Sequence, residues 1–250
     1  MSRPASAAAA TAAQTAIELR LTARRGENVL VMIVIPVVVL LFFTLVAVLP
    51  DDGSSRVGVL LPGTLALAVI ASSFVNLGIA TAYERSYGVL KRLGGSPLTR
   101  GSLLAAKMAA VLVVEVLQVA LLIAVAGGLL GWRPGDGASL VLFIVVLVLG
   151  TAVFAGLGLL LAGALRAEAT LALANALFLG LLLFGGIVVP VSRLPGPTAT
   201  LGGFLPSAAL ADGFRIALGS SAQDPIGPVA VLMTWGVIAI ALAVRTFRWE

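Results

Sequence analysis

The chain has 250 residues, of which 60% are hydrophobic and 11% are charged, and its formal net charge is +5. A soluble domain carries about 25% charged residues, so this composition predicts a membrane protein with no room for a large soluble catalytic domain. Cysteine and histidine are both absent, which excludes disulfides, thiol nucleophiles, imidazole bases and the commonest zinc ligands.

The N-terminal region precedes the first long apolar run. Residues 1–14 are rich in Ala, Ser and Thr, and we expect a disordered tail there. Residues 15–28 mix apolar and charged side chains, which indicates an amphipathic helix on the inner membrane surface. Its arginines, Arg20, Arg24 and Arg25, would face anionic headgroups. The alternative is a basic anchor that only precedes the first span.

Six apolar segments are close to the 20 residues that a spanning helix needs. They are apolar on all sides, which is typical of helices in lipid or inside a bundle. Residues 15–250 are therefore predicted to form one all-α transmembrane domain. The predicted spans are 29–49, 57–82, 108–130, 140–165, 169–189 and 226–244.

The basic residues predict the orientation of this bundle. With the N-terminus inside, the inner side holds twelve of the 16 Lys and Arg residues. Cytoplasmic loops of membrane proteins are enriched in these residues. Both termini and the basic connection 83–100 are therefore predicted to be cytoplasmic.

The longest exterior connection covers residues 191–225. Its apolar part is broken by Gly202, Gly203 and Pro206, so it is too interrupted to span. We expect one or two short helices there, including one over 207–217 with Ser207 as its N-cap.

Four polar residues inside the predicted spans are candidates for a substrate path: Asn76, Glu115, Gln118 and Asn175. An intramembrane carboxylate is costly and usually functional. Lys107 lies two helical turns from Glu115, about 12 Å away, so a direct ion pair is not expected. All four residues are equally suited to hydrogen bonds between helices, and the sequence leaves both roles open.

The connection after the second span carries the most specific pattern. No G-x-x-x-x-G-K-[S/T] loop occurs, so the chain has no phosphate-binding loop of its own. Residues 84–98, ERSYGVLKRLGGSPL, resemble the Glu-Arg/Lys-x-x-Gly-Thr-Leu-Lys/Arg-Arg-Leu-x-x-x-Pro segment of ABC-2 type transporter permeases. Val89 departs from it, because the family often has Thr or Leu there. The six spans, the amphipathic helix and the short helix before the last span are also similar to that family.

The resemblance implies a permease that dimerises, with itself or a sister chain, and works with two ATP-binding subunits. Such a permease has no enzyme activity and binds no cofactor; ATP and Mg²⁺ belong to the partner. The segment after the second span would seat in a groove of that ATPase. The coupling residues implied by the match are Glu84, Arg85, Gly88, Lys91, Arg92 and Pro97.

These observations predict an exporter of amphipathic molecules in the bacterial inner membrane, since apolar spans offer little to a highly charged solute. The cargo would be a drug, an antibiotic or a lipid-like molecule, as in drug efflux and antibiotic resistance. One alternative is a secondary transporter or channel that uses Glu115 as an ion or proton site. Another is a membrane scaffold that anchors a soluble protein.

Overall fold

The computed structural model describes residues 6–24, 26–46, 56–95, 98–187 and 202–248, and these form helices joined by short connections without any strand. The helices are α1 (Ala7–Arg24), α2 (Gly26–Leu45), α3 (Arg56–Val69), a π-helical segment (Ile70–Asn76), α4 (Leu77–Ser86), α5 (Val89–Gly94), α6 (Arg100–Gly128), α7 (Leu140–Ala164), α8 (Ala167–Phe184), α9 (Pro206–Ala217) and α10 (Ile226–Thr246).

Five helices in the described part of the chain are long and apolar enough to cross a bilayer: Arg56–Ser86, Arg100–Gly128, Leu140–Ala164, Ala167–Phe184 and Ile226–Thr246. The apolar part of α2, Leu30–Leu45, is shorter. Because residues 47–49 lie outside the described residues, the predicted first span stays a prediction.

The second predicted span is longer than expected. It runs without a break through α3, the π segment and α4, a total of 31 residues. At 1.5 Å per residue this is about 45 Å, well beyond the roughly 30 Å hydrocarbon core. One end of this long helix therefore extends out of the apolar layer.

Helix α7 packs most closely on its neighbours where glycines remove the side chain. A Cβ on Gly158 would lie 2.6 Å from the Phe74 carbonyl oxygen of the π segment, and one on Gly156 would lie 3.0 Å from the Ala239 side chain. These two glycines of α7 thus allow close approach to the π segment and to α10.

The amphipathic helix begins earlier than predicted. Helix α1 already starts at Ala7, which differs from the expected disordered tail over 1–14. The reason is the alanine run 7–10, because alanine has the highest helix propensity. Arg20 and Arg24 are exposed on α1, whereas Arg25 lies outside the described residues.

Helix α9 closes one end of the bundle. All but one of its twelve residues are buried, and the ring centroid of Phe214 lies 5.1 Å from that of Phe143 of α7. The prediction of Ser207 as the N-cap is wrong: Leu205 is the N-cap and Pro206 is the first helical residue. Proline suits that position because its fixed φ matches the helix and its missing N–H would have no helical partner.

Candidate coupling site and polar interior

Helix α5 is a short helix at the end of the bundle, between the end of α4 and the start of α6. Gly88 precedes it with a φ of 71°, a left-handed conformation that favours glycine. Leu90 is completely buried and packs with Leu103 of α6 and Phe247, which follows α10. The opposite face of α5, with Lys91 and Arg92, is exposed.

Tyr87 and Val89 extend this exposed surface, and Tyr87 is 74% exposed. An apolar anchor on one face and exposed basic and aromatic side chains on the other suit a docking element. We call Tyr87, Val89, Lys91 and Arg92 the α5 surface. Pro97, which the family pattern also includes, lies outside the described residues.

Arg85 does not belong to the α5 surface. Its guanidinium donates to the Gly163 carbonyl at 2.6 Å and also to the Leu165 carbonyl, at the end of α7. The last carbonyls of a helix have no partner within the helix, so a cation there satisfies them and interacts favourably with the helix dipole. Arg85 thus fastens α4 to α7.

Glu84 also faces the bundle, where it joins a buried ion-pair cluster. Lys107 of α6 is 1% exposed, and its ammonium donates to Glu84 at 2.6 Å and to Glu18 of α1 at 3.1 Å. Gln14 donates to the other oxygen of Glu18 at 2.8 Å. These contacts of the Lys107 cluster (Glu18, Glu84 and Lys107) tie α1, α4 and α6 together.

Sequence reasoning missed this cluster, because its three members are 66 and 23 residues apart along the chain. The usable signal is Lys107 itself. A lysine flanked by apolar residues near the start of a span needs carboxylate partners, since an unpaired buried charge is costly.

Glu115 is completely buried and links three helical segments. The Ser72 hydroxyl of the π segment donates to one carboxyl oxygen at 2.8 Å, and the Thr151 hydroxyl of α7 donates to the other. The helical spacing led us to expect no ion pair between Lys107 and Glu115, and Lys107 in fact binds Glu18 and Glu84.

Gln118 and Asn76 meet at Met32 of α2. The Gln118 amide donates to the Met32 carbonyl at 2.6 Å, and the Asn76 amide donates to the Met32 sulfur at 3.1 Å. The fourth candidate, Asn175, does not join them, because it is exposed on α8 and donates to Leu171 of its own helix. The structure thus brings Asn76 and Gln118 together and leaves Asn175 apart.

The bond to Met32 follows from a proline inside α2. Pro36 has no N–H to donate to the carbonyl four residues earlier, which is that of Met32, and Gln118 supplies the donor. The same arrangement recurs in α3, where Pro62 leaves the Gly58 carbonyl without its helical donor and the Ser220 hydroxyl donates to it at 3.1 Å.

Arg215 of α9 has a role at its end of the bundle that parallels that of Arg85. Its guanidinium donates to the Gly186 carbonyl at 2.7 Å, just after α8 ends, and pairs with Asp212 at 2.6 Å. Each end of the bundle is thus fastened by an arginine that satisfies carbonyls at the end of a spanning helix.

The apolar helices and their buried polar contacts define a multi-pass membrane protein. The family model of the ABC-2 type transporter matches residues 10–218, which is most of the chain, and the chain belongs to this family. It is therefore a membrane permease of an ABC transporter, a transport subunit, and permeases of this family work with ABC ATP-binding subunits. A comparison with curated proteins found no match.

Proposed function

We propose that this permease is part of an ATP-driven exporter in the bacterial inner membrane, and that the α5 surface docks on the ATP-binding subunit. The supporting observation is a short helix that is anchored by one apolar face while its opposite face presents Lys91 and Arg92. In this proposal both chain termini and the α5 end of the bundle are cytoplasmic, in keeping with their excess of basic residues.

The contacts beneath α5 offer two routes for movement. Leu90 lies in one apolar cluster with Leu103 of α6 and Leu159 of α7, so displacement of α5 would be transmitted to both helices. Glu84 and Arg85 immediately precede α5, and they connect it to Lys107 and to the end of α7. We therefore assign to Glu84 and Arg85 the transmission of movement within the permease rather than contact with the ATPase, and to Gly88 the bend between α4 and α5.

The docking proposal is tested by co-purifying the permease with a candidate ABC ATPase from the same genome. The double variant Lys91→Glu, Arg92→Glu should lose the complex and the transport-coupled ATP hydrolysis. Arg166→Glu, Arg245→Glu is the matched control, because both residues are exposed at the same end of the bundle and the charge change is equal. An intact complex in the first variant, or equal loss in both, would refute the docking role.

The cargo in this proposal is an amphipathic molecule, a drug, an antibiotic or a lipid-like compound, that crosses between two permease copies. The copies are identical or sister chains, and each pairs with one ATP-binding subunit. Asn76, Gln118 and Glu115 remain candidates for the path, because the structure groups polar side chains from three helical segments there. Asn175 is the weakest of the four candidates, since its amide is bound within α8.

A second candidate function is ion- or proton-coupled transport through Glu115. Its supporting observation is that a carboxyl group, completely buried among spanning helices, accepts hydrogen bonds from the Ser72 and Thr151 hydroxyls. Glu115→Gln keeps the shape of the side chain and removes the charge. Transport that is abolished in this variant while ATP hydrolysis continues would favour the second function, and retained transport would favour the first.

A further inference from the structure

A groove on the side of the bundle combines charged and apolar side chains. It follows one face of α4 and α6 from the Lys107 cluster to Asn76, and residues of α1 together with Met32 of α2 complete its walls. From Leu77 to Glu84 the α4 side measures about 10 Å. We call this feature the α1–α6 groove.

The charged end of the groove carries an excess of negative charge. Of the described residues that line the groove, three are charged: Glu18 and Glu84 contribute two carboxylates and Lys107 one ammonium. A carboxylate has about four acceptor positions. Lys107 donates to one oxygen of each glutamate and Gln14 to the other oxygen of Glu18, and these described contacts leave further acceptor positions. A cation at this end would therefore gain both charge compensation and hydrogen-bond acceptors.

The middle of the groove is apolar. Leu21, Leu77, Val111 and Val114 line it from three helices, so it would hold a hydrocarbon or aromatic body rather than a polar chain.

The end of the groove farthest from Lys107 has another hydrogen-bond acceptor beside it. Gln118 lies one turn beyond Val114 and binds the carbonyl of Met32, which lines the groove. The residue is 2% exposed, and its Oε1 has no protein partner in the described structure. A buried polar atom of this kind usually has a partner, so its state indicates a donor from a ligand or water.

We propose that the α1–α6 groove binds cationic amphiphiles, with the cationic head at Glu18 and Glu84 and the apolar body along Leu77 and Val111. This proposal rests on the proposed export function and names the class of cargo. Anionic amphiphiles are disfavoured, because their head would meet two carboxylates balanced by only one ammonium.

The test measures binding of radiolabelled decyltrimethylammonium to the permease in nonionic maltoside micelles by scintillation proximity. Decyl sulfate is the charge-reversed probe with the same chain. Glu84→Gln removes the excess negative charge and leaves Lys107 paired with Glu18. Ala80→Phe fills the groove, and Ala105→Phe is its control on an exposed position of α6.

We expect the permease to bind the ammonium at least tenfold more tightly than the sulfate, a difference of about 1.4 kcal/mol. Glu84→Gln should reduce ammonium binding about tenfold, Ala80→Phe should abolish it, and Ala105→Phe should leave it unchanged. Equal binding of the two probes overturns the proposal, as does unchanged ammonium binding in either Glu84→Gln or Ala80→Phe. The assay contains no ATPase, so a failure here leaves the docking result intact, and loss of docking leaves this result intact.

Discussion

The two ends of the helix bundle are fastened in similar ways but present different surfaces. Arg85 and Arg215 each satisfy carbonyls where a long apolar helix ends. At the α9 end the fastening helix is itself buried, and Phe214 packs into the core. At the α5 end the fastening residue is followed by a short helix whose basic face is exposed. One end is thus a closed cap, whereas the other leaves exposed the basic helix face that we propose as the attachment point for the ATPase.

The largest expected effect concerns the Lys107 cluster at the α5 end. Lys107→Met leaves two glutamates without their cation, and it should lower the free energy of unfolding by about 4 kcal/mol. Adding Glu18→Gln and Glu84→Gln should restore most of this loss, because a neutral cluster has no unpaired charge. Thermal unfolding in detergent, followed by tryptophan fluorescence, measures both. A triple variant as unstable as Lys107→Met would contradict the ion-pair explanation.

The next effect compares the two arginines directly. Arg215→Met should cost about 3 kcal/mol, because it leaves buried carbonyls and Asp212 without a donor. Arg85→Met should cost about 1.5 kcal/mol, since Arg85 is more exposed and water can replace it in part. The same unfolding measurement applies, with Arg166→Met as an exposed control. Equal losses at Arg85 and Arg215 would remove the distinction between a closed cap and an attachment point.

A smaller effect is expected where Gln118 supplies the donor missing from Pro36. Gln118→Leu should cost about 1.5 kcal/mol, because it leaves the Met32 carbonyl unpaired in apolar surroundings. In a Pro36→Ala background the restored N–H should reduce that cost to below about 0.5 kcal/mol. A double-mutant cycle on unfolding free energies measures this coupling. Additive losses would show that Gln118 stabilises the bundle in some other way.

The corresponding pair at the α9 end should give a weaker coupling. Ser220 is exposed, so Ser220→Ala should cost only about 0.5 kcal/mol, because water can reach the Gly58 carbonyl. Pro62→Ala should remove even this difference. A loss at Ser220 as large as that at Gln118 would indicate that the α9 end is less accessible to water than its exposure implies.

The smallest expected effect on stability comes from the α5 surface. Lys91→Glu with Arg92→Glu should change the free energy of unfolding by less than about 0.5 kcal/mol, as is usual for exposed positions. Docking of the ATPase is then the property that changes, so co-purification and unfolding should be measured on the same preparations. A marked loss of stability would mean that these side chains support the fold.

The sequence predicted where most of the helices lie along the chain, but it gave little indication of which face of each helix points into the bundle. Apolar runs and the 84–98 pattern predicted the helical bundle and a short basic connection before α6. They did not predict that Glu84 and Arg85 face inwards while Lys91 and Arg92 face outwards, because this depends on how far α4 is turned relative to α6 and α7. The ion pairs of Lys107 depend on the same rotation, since Glu18, Glu84 and Lys107 lie on different helices.

Local chemistry, in contrast, contained signals that were not used. Pro36 and Pro62 each predict a carbonyl that has no helical donor, four residues earlier in the helix. The buried amide of Gln118 is a suitable donor to the first of these carbonyls. The alanine run at 7–10 indicated an earlier start for α1. Gly88 was identified from the family pattern, and its positive φ explains why a glycine stands there.

The π-helical segment has a consequence for insertions and deletions in this chain. A π turn holds more residues than an α turn, so Ile70–Asn76 changes the angular position of every residue after it. Deleting one residue there would restore a regular α-helix only by turning α4 through about 100° relative to α6. Glu84 would then lose its ion pair with Lys107, and the α5 surface would face a different direction. The π segment thus sets the direction in which the exposed basic face of α5 points.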